Sequence, residues 1–147
     1  NIAGIPRHYP GTQGTSILKL FDMAVGTTGL NEAAVKAAGL PYDKVYLIPG
    51  SHAGYYPGAE PISMKVLFET PSGRILGAQL LGFDGVDKRT DVLATAVRCQ
   101  LTADDLAELD LCYAPPYSSA RDPVNVVGYV IQNERRGLVK HFYWHYA

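Results

Sequence analysis

Cysteine is scarce: Cys99 and Cys112 are the only two in 147 residues, and neither has a CxxC partner or an adjacent His or Lys. Two thiols supply neither a disulfide framework nor a four-ligand zinc site, so we expect reduced, mostly buried structural cysteines in a cytoplasmic protein. Charge of one sign is missing too. The 13 basic and 14 acidic side chains leave a formal net charge of −1. That gives no electrostatic footprint for nucleic acid and no polybasic patch for a membrane. No apolar run approaches the roughly 20 residues that span a bilayer. Two motifs of catalysis and cofactor binding are also absent. There is no Gly-x-Ser-x-Gly elbow and no Gly-x-Gly-x-x-Gly fingerprint. Gly11-Thr-Gln-Gly14 precedes a strand pattern rather than a helix, the wrong context for phosphate. The start at Asn1, with no initiator Met and no basic leader, suggests a beginning inside a longer protein or after processing.

What is present suits one folded domain, with 47% apolar and 18% charged residues over 147 positions. After an irregular lead-in with Pro6, Pro10, Gly11 and Gly14, Thr15 to Phe21 reads as a strand, and Met23 to Thr27 continues or pairs with it. Asn31 caps a short helix that Gly39 ends. Val45 to Ile48 begins a second strand section. Ile62–Phe68 and Ile75–Leu81 flank Thr70-Pro-Ser-Gly73, a hairpin with a glycine where positive φ is expected. Alternation puts Ile62, Met64, Val66 and Phe68 on one face. Gly85 to Gln100 is the longest helical pattern, with Val86, Val92, Leu93, Ala96 and Val97 as its apolar stripe. The charged run Asp84–Asp91 reads as a solvated helix start or a salt-bridged subunit contact. Thr102-Ala-Asp-Asp105 resembles a capping box, and Asp122-Pro123 is an N-cap followed by N1. The tail from Arg135 is aromatic and basic, with no partner segment evident. The pattern is α+β, with a mainly antiparallel sheet.

Two loops carry candidate chemistry. One holds His52, Tyr55 and Tyr56 among glycines. The other is Tyr113-Ala-Pro-Pro-Tyr-Ser-Ser119, where paired prolines stiffen the backbone and present aromatic rings at low entropic cost. Active-site wall and core-packing loop are both open readings of the second loop. His52 has no second ligand at i+2 or i+4, which argues against a metal site.

Several ordered motifs carry a resemblance: Gly14-Thr-Ser16 with Lys19-Leu-Phe-Asp22, Thr28-Gly-Leu30, Ser51-His-Ala-Gly-Tyr-Tyr-Pro-Gly58, Gly73-Arg-Ile-Leu-Gly-Ala-Gln79, Gly85-Val-Asp-Lys-Arg89, and Tyr113 through Asn125. Together they resemble the C-terminal dimerisation domain of the pyridine nucleotide-disulfide oxidoreductases. The nearest branch is that of CoA-disulfide reductases, NADH oxidases and polysulfide or persulfide reductases. The resemblance implies a five-stranded, mainly antiparallel sheet with helices packed on one side, in a homodimer where each such domain caps its partner's active site.

It implies FAD and NAD(P)H in upstream domains of the same polypeptide, a redox cysteine there, and CoA as a substrate moiety. This fragment alone would bind no cofactor, and would reduce nothing. Residues 1–14 would lead in from a missing FAD domain, 15–133 would be the dimerisation domain, and 134–147 a tail linking to a missing rhodanese domain. That last expectation rests on Leu138-Val-Lys-His-Phe-Tyr-Trp-His145, and it keeps persulfide chemistry open beside CoA-disulfide reduction. Tyr55 and Tyr113 would be catalytic in the partner's site. Pro115, Pro116, Tyr117 and Ser118 would line the flavin side, with His52 behind them. The helix from Gly85 would be a main two-fold contact. Cys112 stands where a small or apolar residue is usual, and is read as structural. The rival from another class is a free-standing interaction or small-ligand-binding module that uses the tyrosine loops for recognition.

Overall fold

Strands β1 (Ser16–Leu20) and β2 (Met23–Gly29) precede helix α1 (Glu32–Ala37). Strands β3 (Tyr42–Leu47), β4 (Ile62–Glu69) and β5 (Ile75–Gly82) follow, then helices α2 (Val86–Arg98), α3 (Ala103–Glu108) and α4 (Pro123–Arg135). The computed structural model describes residues 2–143. Asn1, on which the reading of the start rested, and Trp144 and His145 of the tail reading lie outside them. No described helix is long and apolar enough to cross a membrane.

The strands form one antiparallel sheet in the order β1-β2-β5-β4-β3. Alternation in β4 sends Ile62, Met64, Val66 and Phe68 to the face covered by α2, α3 and α4, where all are buried. Each fully buried Leu, Ile or Phe contributes about 2 kcal/mol of apolar burial. The opposite face is covered only locally, where Val35 of α1 meets Leu67 and Leu76. The expected caps form: Asn31, Thr102 and Asp122 each accept a backbone N–H in the first turn of their helix, and the last two make complete capping boxes. The β4–β5 turn closes with Gly73 at φ 76°.

β3 starts three residues earlier than its apolar run, because Tyr42 and Lys44 have a partner across the chain. Glu32 of α1 accepts hydrogen bonds from Lys44 Nζ at 2.6 Å, from the Tyr42 hydroxyl at 3.0 Å and from Lys65 Nζ. Lys44 is 2% exposed. Burial opposes the charge on Glu32, but the two lysines and the phenol outweigh it and lower its pKa to about 2. A polar start to a strand is thus held by one carboxylate.

Three expectations need correction. Both cysteines are unpaired but exposed, not buried. Cys99 closes α2 beyond its apolar stripe, and Cys112 lies in the irregular run before Tyr113. The tail does have a partner: Tyr143 donates its hydroxyl proton to the Lys44 carbonyl and stacks edge-on against Tyr46. His141 Nδ1 lies 3.0 Å from Glu134 Oε2 at the end of α4, without hydrogen-bond geometry. Burial and the neighbouring Asp43 carboxylate push Glu134 up to about 7. The third correction concerns the charged run at α2. Arg89 is neither solvated nor free for a subunit contact, since it is 1% exposed and bonded within the chain.

Glu32→Gln removes the carboxylate that Lys44 Nζ and Lys65 Nζ share, and should cost about 3 kcal/mol in urea unfolding. A lowered carboxylate pKa contributes stability above its ordinary value. The Glu32 contribution is therefore complete above pH 4.5 and lost as pH falls towards 2. An unfolding midpoint indifferent to that range in parent and variant alike would contradict the clamp.

Candidate functional site

The sheet's connectivity brings both tyrosine loops to one end. Ile62, at the start of β4, pairs with Gly82, at the end of β5. The β3–β4 loop therefore emerges beside the first turn of α2. The first turn of α4 arrives at the same place, because its cap Asp122 is bonded to Arg89 of α2. Each loop is also tied internally. Ser51 N–H donates to the Glu60 carbonyl at 2.7 Å and Ser51 Oγ accepts from Glu60 N–H at 3.1 Å, closing the neck of the first loop. In the second, Ala114 carbonyl accepts from Tyr117 N–H at 2.9 Å and Ser118 N–H at 3.1 Å. Pro115 and Pro116, which have no N–H to satisfy, occupy that turn.

Between the loops lies a buried polar knot. Arg89 Nη2 donates to the Ser51 carbonyl at 2.7 Å and to Asp122 Oδ2 at 2.9 Å, while Nη1 donates to the Gly85 carbonyl at 3.2 Å. Contacts of Nη2 with Tyr117 O and Ser118 Oγ are longer, both 3.5 Å. Two protons cannot serve four acceptors well, so the short bonds to Ser51 and Asp122 dominate. Ser118 Oγ donates to Asp122 Oδ2 at 2.7 Å. Burial works against ionisation of Asp122, but Arg89, the Val124 amide and Ser118 hold its carboxyl below the usual range. Lys88 Nζ sits 3.6 Å from the same oxygen as an ion contact. Gly85 adopts φ 68°, and a Cβ there would fall 2.1 Å from Arg89 Nη1, so glycine is required twice over. Ala53 N–H donates to the Ser118 carbonyl at 3.1 Å, joining the loops directly.

On top of this knot, Tyr55 and Tyr113 meet hydroxyl to hydroxyl at 2.8 Å, 58 positions apart in sequence and both solvent-exposed. Either phenol can donate, and the one that accepts keeps its own O–H for an external acceptor. The Tyr113 hydrogen bond, with slight desolvation, raises Tyr55 above its ordinary 10.0, so the Tyr55 phenol keeps its proton near neutrality.

The remaining sites expected from the sequence divide. Tyr117 and Pro116 are exposed and Pro115 half-buried, whereas Ser118 is fully buried with its hydroxyl on Asp122. His52 is buried below the first loop, its ring edge-on to Tyr56 at 5.8 Å. Among the described residues, no group of three His, Cys, Asp or Glu side chains converges on a metal-sized site. Sequence reasoning missed Arg89 as the organiser of the site, although a signal existed. Arg89 stands three after Val86 and four before Leu93, within the apolar stripe.

The pyridine nucleotide-disulphide oxidoreductase dimerisation domain matches residues 15–124. This chain belongs to that family. It is 41% identical over 125 residues to a coenzyme A disulfide reductase of Staphylococcus epidermidis, covering 85% of this chain and 28% of the relative. Among solved structures, the reduced CoADR-RHD of Bacillus anthracis superimposes with a TM-score of 0.90 at 55% identity, over 93% of this chain and 25% of that one. An NAD-dependent persulfide reductase from A. fulgidus gives 0.93 at 44% identity, over 96% and 26%. The chain therefore spans about a quarter of the length of these relatives, and as a dimerisation domain it carries none of the nucleotide fingerprints sought above.

Tyr113→Phe removes one hydroxyl of the pair. The Tyr55 phenol should then ionise nearer its ordinary 10.0. The raised value means that the phenol–phenol bond is intact below pH 10.0 and is lost only as pH rises through the higher pKa of Tyr55. An ultraviolet phenolate titration, differenced against Tyr55→Phe, measures the shift, and identical curves for parent and variant would refute the pairing.

Proposed function

We propose that this domain belongs to an FAD-dependent NAD(P)H:disulfide oxidoreductase acting on CoA disulfide or on polysulfide or persulfide, and that it works as half of a homodimer. In this reading, Tyr55 and Tyr113 serve the active site of the partner subunit. The 2.8 Å phenol pair, exposed on a rigid support, is the observation that carries the proposal. A hydroxyl that accepts one hydrogen bond becomes a stronger donor through its own proton. Such a donor suits a sulfur that gains negative charge when an S–S bond breaks. In this reading the attacking thiolate comes from an upstream domain of the same polypeptide. The names of the Staphylococcus and A. fulgidus relatives support the two substrate classes.

FAD and NAD(P)H would be held by upstream domains and would carry electrons from the nicotinamide to the disulfide. Here Pro115, Pro116 and Tyr117 offer only a stiff apolar wall for a flat ring, with Ser118 bracing them from behind. Residues 1–14 are assigned as the approach from the FAD domain, 15–133 as the dimerisation domain and 134–147 as the approach to a rhodanese domain. Association is supported by the sheet face away from α2–α4, which leaves Leu18, Tyr46 and Leu81 exposed, with Phe21, Ile48 and Phe83 at its margins. Unpaired thiols fit a reducing compartment such as the cytoplasm.

A free-standing recognition module would also use these loops, and the encoded sequence upstream separates the two. Two nucleotide-binding fingerprints and a single redox cysteine support the enzyme; an initiator Met near Asn1 sinks it. In the full-length dimer, Tyr113→Phe should slow disulfide turnover by roughly tenfold or more without changing the oligomeric mass. Parallel assays with CoA disulfide, polysulfide and oxygen identify the acceptor. Unaltered kinetics would remove Tyr113 from the chemistry.

A further inference from the structure

We infer that Arg89 is a positioning residue for the tyrosine pair: it locks the two loops to one another, so that Tyr55 and Tyr113 share a single geometry. The inference rests on the catalytic reading of those tyrosines given above, and extends it to a buried group on a different element. Tyr55 has almost no support of its own. It is 76% exposed and sits at the tip of a loop rich in glycine. Its distance from Tyr113 is therefore set lower down, where the two loops are anchored.

Two anchors are visible, and both lead to Arg89. The first loop is held at the Ser51 carbonyl, which takes the shortest hydrogen bond that Arg89 makes, 2.7 Å. The second is held at Ser118, whose hydroxyl is bonded to Asp122 and whose carbonyl accepts from Ala53 of the first loop. Asp122 in turn is fixed by Arg89, and by its own role as the cap of α4. One guanidinium thus joins the loop before β4, the loop before α4 and the first turn of α2. Only a planar fork can do this, since donors must point at Gly85, Ser51 and both oxygens of Asp122 together. A lysine ammonium brings the same charge to Asp122 but not the same directions.

The experiment uses the full-length enzyme with two variants. Arg89→Lys keeps the buried charge paired, and Ser118→Ala keeps the Arg89–Asp122 pair while removing the hydroxyl that ties the second loop to Asp122. The second variant decides the matter if the first fails to fold. In each variant, with and without Tyr55→Phe, the phenolate titration reports the tyrosine pair without reference to turnover. Circular dichroism and oligomeric mass report the fold. We expect a native fold, a Tyr55 ionisation returned towards its ordinary 10.0 and kcat for the disulfide lowered by on the order of tenfold. In Arg89→Lys, KM for NAD(P)H and the rate of flavin bleaching by NAD(P)H should stay unchanged, because that half-reaction does not involve the tyrosines; Ser118→Ala, which also alters the flavin wall, is read through the titration alone. Parental Tyr55 titration in both variants would overturn the positioning role. A shifted titration with parental disulfide turnover would uphold it, and would count instead against the catalytic reading of Tyr55 and Tyr113.

Discussion

The buried pair of Arg89 and Asp122 is the interaction on which the functional end of this domain depends. Taken alone, such a pair adds little net stability. Desolvating two charges costs several kcal/mol per ion, and their attraction recovers that only with further hydrogen bonds. Here those bonds exist: the Val124 amide and Ser118 hydroxyl on Asp122, and the Ser51 and Gly85 carbonyls on Arg89. What the pair contributes is position. It converts three chain segments that end near one another into one rigid support, and it does so below two tyrosines that have few contacts of their own.

The same logic explains why the domain is a part rather than a whole. Two exposed phenols 2.8 Å apart offer a directed O–H and no nucleophile, base or electron carrier. Under the proposed function, the thiolate, the flavin and the nicotinamide belong to other domains, and the partner subunit brings them to this surface. An uncovered apolar sheet face and a stiff proline loop on the rim are the physical form of that dependence. Towards the β3 edge that same face is built differently. There the Glu32 clamp secures β3, and the tail packs back onto that strand through Tyr143.

Much of the fold was legible in the sequence because local chemistry and tertiary packing agree. The β4–β5 hairpin shows in its alternation and in Gly73, and three helix starts show in Asn31, Thr102 and Asp122. The tyrosine loops were recognisable through their prolines, glycines and family motifs. That Tyr55 and Tyr113 touch was not visible in the spacing, since 58 positions separate them and only the sheet order brings their loops together. Charged residues caused the misreadings. Arg89 sits in an apolar stripe and is read as solvated by residue type, yet its partner lies 33 positions away. Tyr42 and Lys44 look like loop until Glu32 is placed opposite them. The cysteines failed for the opposite reason: their residue type suggested burial, but α2 turns Cys99 outward at its end.

The two loops form one unit fastened to the core, and native-state hydrogen exchange of the Ala53 and Ser118 amides reads out that fastening. Ala53 N–H bridges the loops and Ser118 N–H closes the second one. If the account is right, both amides exchange as slowly as those in the paired centre of β4 and β5, because opening them requires breaking the Arg89 knot. Exchange at the rate of freely solvated loop amides would contradict it.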